Sequence, residues 1–175
     1  TRSLSLTGDN TFTGGVDFQG SNARLQIGSY TALGTGKLTV GQTTNSGGGV
    51  GLLAMGNLGG DVNNPDGVTN DIEILPDRNF NISGEAPSHS LMLSGAISGD
   101  GSLRKHRNPS TVTLSGVNTY TGTTEVETGV LVCTRADSLG SGALIIGTGA
   151  TLQLDFVGTR SVSSLTVDGG APLLD

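Results

Sequence analysis

The chain has 175 residues, thirty of them glycine, with 3% aromatic residues, no tryptophan and a formal net charge of −6. That acidic balance argues against nucleic acid as a partner, because phosphate recognition needs clustered Lys and Arg. The single cysteine, Cys133, excludes a scaffold stapled by disulfides.

Short runs that alternate apolar and polar residues recur along the chain: "SLSLT" at 3–7, "KLTV" at 37–40, "DIEIL" at 71–75 and "LMLSG" at 91–95. "TVTLSG" at 111–116, "ALII" at 143–146, "TLQLDF" at 151–156 and "SLTV" at 164–167 follow. Period two marks strands, and Gly, Asn or Asp bounds each run. Turn pairs such as Asp66-Gly67, Asp100-Gly101 and Asp168-Gly169 sit between them. No window holds apolar residues at helical spacing, so the chain is predicted to be all-β. It has no apolar run of about 18 residues, so this segment is not expected to insert into a membrane. It starts at Thr1 without a targeting segment, as expected of a processed piece or an excerpt of something longer.

A repeat chooses the architecture. "LTGDNTFTG" at 6–14 and "LSGVNTYTG" at 114–122 agree at six of nine positions. The match continues from "LQIGSYTALGTGKLTVG" at 25–41 to "LVCTRADSLGSGALIIG" at 131–147, with two extra residues near Asn22 in the first copy. A strand-turn-strand unit that cannot bury its apolar face alone and is built twice points to a solenoid. A parallel β-helix is favoured, with a duplicated β-sandwich as the alternative. Rungs of roughly 20 residues would give about eight turns spanning about 40 Å. Leu6, Leu38, Leu114, Leu131, Leu144, Ile146, Leu152 and Leu154 are expected to point inward. The single β-solenoid domain would span 1–175, with repeat units at about 4–41 and 97–147 and a less regular, loop-rich segment at 42–96.

The stretch "ISGDGSLRKHRNPSTVTLSGVNTYTGTTEVETGVLV", followed by "ADSLGSGALII", resembles the autotransporter-associated β-strand repeat, the passenger-associated repeat of bacterial surface and secreted proteins. Residues 97–147 match most of the pattern, and 4–41 match its second part again. "LRKHRNPST" at 103–111 departs from the usual Lys-Thr-Gly turn, and Thr123 stands where a second Gly is common. The resemblance implies a right-handed parallel β-helix, export through an outer membrane and an extracellular or outer-surface location on a Gram-negative-type bacterium. It implies no activity and no cofactor.

Within the repeat, Asn10 and Asn118 are expected at corners, bonding their own backbone or adopting a left-handed conformation. Gly14 and Gly122 would relieve the bend, and Phe12 and Tyr120 would pack beside it. A sugar-stacking role is the functional reading of Tyr120. Asp61, Asp66, Asp71, Glu73 and Asp77 fall within 61–77. They read as a solvated acidic loop, with a cation site or acid–base chemistry on polysaccharide as the sharper readings. Calcium-loop spacing is absent, so no metal is assigned. Arg104, Lys105 and Arg107 form a basic turn that would meet acidic glycans or a neighbouring subunit's acidic loop. The bland reading is an exposed turn that discourages edge pairing. "GVGLLA" at 49–54 matches a dinucleotide fingerprint without the strand and helix that it needs. Cys133 is expected to be a buried, inert thiol.

The leading expectation is a rigid stalk or fibre subunit that stacks end to end on other copies or on flanking repeats. "SLSLT" and the terminal "APLLD" offer no polar cap against such stacking. The alternative is an adhesin module for glycans or a host surface. An enzyme on acidic polysaccharides would need the acidic and basic sets to converge.

Overall fold

A computed structural model describes residues 2–20, 22–41 and 49–169. The alternating runs form strands, and the chain winds through them rung by rung. The first two rungs hold β1 (Arg2–Leu6), β2 (Val16–Phe18), β3 (Ala23–Ile27) and β4 (Leu38–Val40). The third holds β5 (Val50–Ala54), β6 (Asn57–Leu58) and β7 (Ile72–Ile74). The fourth holds β8 (Asn79–Gly84), β9 (Ser90–Leu93) and β10 (Ile97–Ser98). Then follow β11 (Ser102–Lys105), β12 (Thr111–Leu114), β13 (Thr124–Val126), β14 (Val130–Cys133), β15 (Leu144–Ile146), β16 (Thr151–Leu154) and β17 (Leu165–Val167). A 3-10 turn at Ala136–Ser138 is the one helical element among the described residues.

Strands pair with strands one turn away, never with a hairpin neighbour. The first face is the eight-stranded sheet β1-β3-β5-β8-β11-β13-β15-β17. The second is β6-β9-β12-β14-β16 and the third is β2-β4-β7-β10. Every pairing among the described strands is parallel. A β-sandwich is antiparallel, so that alternative falls. The protein is a parallel β-solenoid of about eight turns.

The register turns the period-two pattern into columns of inward side chains. One column runs Leu4, Leu25, Leu52, Ile82, Lys105, Val126, Ile146, Val167. Another runs Leu58, Leu91, Val112, Leu131, Leu152. Leu38, Leu114, Leu131 and Leu144 are buried, while Leu6, Ile146 and Leu152 are half-buried. Leu154, expected inside, is 50% exposed. It stands in register with the buried Cys133, but it lies on the edge strand β16, and no further described strand covers it.

Rung length is not constant. Registered residues lie 21 apart at Arg2 and Ala23, 27 at Arg24 and Gly51, and 30 at Val50 and Phe80. The spacing then settles to 23, 21, 20 and 21 at Asn79/Ser102, Leu103/Thr124, Thr124/Leu144 and Leu144/Leu165. The long rungs change the phase of the repeat. In the first copy, β1 on the first face precedes the Asn10 corner, and β2 on the third face follows it. In the second copy, β12 on the second face precedes the Asn118 corner, and β13 on the first face follows it. The two copies therefore build the same corner on different sides of the solenoid. That is why strands of the second face begin only in the third rung and those of the third face end in the fourth.

Candidate functional site

The two copies of the corner are built by contacts between rungs rather than within them. Asn118 does not turn back on its own backbone. Its Oδ1 accepts from Ile97 N–H at 2.8 Å, one rung before, and its Nδ2 donates to Ser138 O at 2.5 Å, one rung after. Asn10 donates in the same direction, to Ala32 O at 2.8 Å. Neither adopts a left-handed conformation. The expectation of a locally bonded corner Asn fails for Asn118 and holds in part for Asn10, whose Nδ2 also lies 3.4 Å from Gly8 O; in both copies the amide spans the stack and satisfies groups that the corner leaves unpaired.

Gly122 likewise is not needed for a sharp bend, since its φ is not positive. A Cβ there would lie 2.2 Å from Gly101 O of the preceding rung, so close stacking demands the glycine. Gly14, at the same place in the first copy, has nothing within 4 Å of such a Cβ. No earlier described rung lies against it.

Tyr120 points into the core and is 0% exposed. Its hydroxyl meets Thr124 Oγ1 at 2.7 Å, and burial pushes its pKa up to about 12. Gly140 of the next rung lies over the ring, where a Cβ would come within 2.4 Å. A sugar cannot reach the face of this ring, so the stacking role does not hold. Phe12 is 39% exposed, because only the following rung covers it.

Only Arg107 of the basic set lies in the turn. Arg104 and Lys105 lie on β11. Arg104 faces outward and pairs with Glu125 at 2.9 Å and Glu127 at 3.1 Å. His106 contacts Glu127 as well. Arg107 is exposed, with φ of 85°. Lys105 faces inward and is 0% exposed. Its Nζ donates to Asn108 O at 2.8 Å and to Thr128 O at 3.0 Å. Asn108 in turn donates to Gly84 O at 3.0 Å and Glu85 O at 2.7 Å. The stretch that departs from the repeat pattern thus pins three successive corners from within. Lys105 is corrected from a surface contact to a core group, since strand alternation turns it inward.

The acidic residues do not form one cluster. Asp61 Oδ1 accepts from Asn63 and Asn64 N–H at 2.8 and 2.9 Å, which closes its own loop. Asp71 Oδ1 accepts from Ala96 N–H at 2.9 Å. Glu73 pairs with Lys37, and Asp77 takes a left-handed φ of 60°. Asp66 lines a surface groove. No group of three metal-ligating side chains occurs among the described residues. Glu73 on the third face and Arg104 on the first do not converge. "GVGLLA" enters β5, a wholly buried strand, rather than a phosphate-binding turn. Cys133 is buried, and burial pushes its thiol up to about 12.

Residues 2–20 and 109–132 match the family model of the passenger-associated-transport-repeat. Both stretches contain the corner just described. The chain carries this repeat. The first match runs from β1 to beyond β2, and the second from the Asn108 turn into β14. The similarity is to the passenger-associated transport repeat over these two stretches, about a quarter of the chain. No curated protein and no solved structure matches the chain. No described helix is long and apolar enough to cross a membrane.

Sequence reading missed Asn70, whose amide donates to Gly34 O at 3.1 Å and Gly36 O at 2.7 Å. It performs the cross-rung task of Asn118 outside any recognisable repeat. Its only signal is an Asn placed just before an alternating run.

Proposed function

We propose that the chain is a rigid spacer within an autotransporter passenger at a bacterial surface, and that its end rungs receive further rungs. The carrying observation is the unbroken eight-stranded parallel sheet with apolar residues bared at both edges. Leu4 on β1 is 56% exposed, and Leu165 on β17 is 60% exposed. Each is an inward position whose column partner, Leu25 or Leu144, is buried. A parallel edge with free backbone groups and an open aliphatic column accepts another strand of the same period. The "APLLD" end lies outside the described residues and adds nothing to this argument.

The mechanism is mechanical. Stacked main-chain bonds and filled columns resist bending, and the corners keep the rungs in register. Small-angle scattering and negative-stain imaging test it on the chain and on a tandem fusion of two copies. The fusion should be longer by about eight rungs, or about 40 Å, at constant cross-section. The single chain should stack end to end at high concentration, and Leu4→Lys with Leu165→Lys should keep it dispersed. Dispersed monomers of the unmodified chain at high concentration would remove self-stacking. A compact fusion would remove the rod.

A further inference from the structure

The first and last described rungs present the same unit. β1 and β2 flank the corner at 7–15, and β16 and β17 flank a corner at 155–164. β12 and β13 flank the Asn118 corner in the same way. The two end units nevertheless stand on different faces. β1 is on the first face and β2 on the third, whereas β16 is on the second and β17 on the first. The unit has moved on by one face between the two ends. β1 and β2 are edge strands at one end, as β16 and β17 are at the other.

A second copy can be laid on the last rung in two ways. If every face is continued, β1 lies on β17, but β2 meets the corner at 155–164 and β16 meets the Asn10 corner. Only one open strand at each end then gains a ladder. That register also sets Arg2 over Leu165. Arg2 pairs with Ala23, and the same inward column runs through Phe80, Leu103 and Leu144 to Leu165. A guanidinium would enter an aliphatic column without a partner, which is strongly unfavourable.

If the copy is turned by one face, unit lies on unit: β1 on β16, corner on corner and β2 on β17. The repeat match sets the register. Leu6 corresponds to Leu114, whose column passes through Cys133 to Leu154. Leu4 then covers Leu152, and Val16 and Phe18 cover Leu165 and Val167. Leu154, Leu165 and Val167, now 50%, 60% and 41% exposed, all become core. Arg2 falls beside Ala150, just before β16, where its head can reach water. Gly14, open on that side, receives main chain as Gly122 receives Gly101 O.

We propose that a second copy of this chain docks on the β16–β17 rung turned by one face, so that β1 pairs with β16 and β2 with β17. The inference rests on the end-to-end stacking proposed above and gives it a geometry. With three faces, each copy turns by about a third of a turn, and every loop recurs on a different side in successive copies.

Cysteine cross-linking of the intact chain separates the two geometries. Ser3, Asp17 and Thr166 are exposed outward positions. Asp17 meets Thr166 in the turned stack, and Ser3 meets Thr166 in the unturned one. Each pair spans opposite ends of the solenoid, so a disulfide between its members joins two chains. Under mild oxidation, Asp17→Cys with Thr166→Cys should give at least about tenfold more linked oligomers than Ser3→Cys with Thr166→Cys, because Cα atoms more than about 7 Å apart cannot be bridged. Ser5→Cys with Gln153→Cys should link as well. Adding Leu4→Lys and Leu165→Lys to a linking variant should abolish its oligomers. Preferential linking of Ser3→Cys with Thr166→Cys overturns the turn and leaves the stack standing. Stacks seen by negative stain with neither turned pair linked overturn it too. Dispersed chains without links overturn both readings.

Discussion

Lys105 stands in register on Ile82, inside the longest apolar column, with its ammonium group held by two main-chain oxygens. Burial lowers its pKa from 10.5 to about 8. Between those values the unfolded chain binds the extra proton and the folded one does not, so the lysine's contribution to stability rises with pH. Burial moves Cys133 and Tyr120 the other way, from 9.0 and 10.0 to about 12, and stability from those groups falls above their ordinary values. Comparison with Lys105→Met isolates the lysine. From about pH 7 to about pH 9, the melting temperature of the native chain should rise relative to that of Lys105→Met. Parallel curves would show that Lys105 keeps an ordinary pKa.

The repeated glycine should matter in one copy only. Gly122→Ala places a Cβ 2.2 Å from Gly101 O, where only main chain can give way. It should cost about 1–3 kcal/mol in urea unfolding, as overpacking does. Gly14→Ala meets nothing within 4 Å and should stay within about 0.5 kcal/mol. Equal losses would mean that the letter serves the bend and not the stack.

Asn118→Ala should cost more than Asn10→Ala. The first strands a buried donor at Ile97 and a buried acceptor at Ser138, for about 2–4 kcal/mol together. The second loses one good bond, to Ala32, at a partly exposed site, for about 1 kcal/mol. Chemical denaturation of both variants gives the comparison, and the reverse order would refute the bridging role.

Tyr120→Phe should cost about 0.5–1.5 kcal/mol through the Thr124 bond, and Tyr120→Ala about 3–5 kcal/mol through the cavity. Phe12→Ala should be milder, because that ring is 39% exposed. Thermal unfolding of the three variants checks the order. A benign Tyr120→Ala would return that ring to the surface.

The strands, the solenoid and the transport repeat were legible in the sequence. Alternation in "TVTLSG" and the recurrence of "N-T-aromatic-T-G" are local properties of the chain, and a solenoid repeats its local rules at every turn. The sequence also determined that inward positions are aliphatic. Which of those positions are covered was settled by tertiary structure, because cover comes from a residue 19 to 34 places away. Leu154 and Cys133 obey the same alternation, yet one is exposed and the other buried. Lys105 reads as a surface charge until the register puts it between Ile82 and Val126. Tyr120 reads as packed beside the corner with sugar stacking as the sharper reading, and Gly140 closing over the ring decides between them. A surface groove lined by Tyr30, Asn64 and Asp66 joins residues of two rungs whose spacing is set by the irregular middle segment. No period in the sequence announces it, because the long rungs that create it are the ones that break the period.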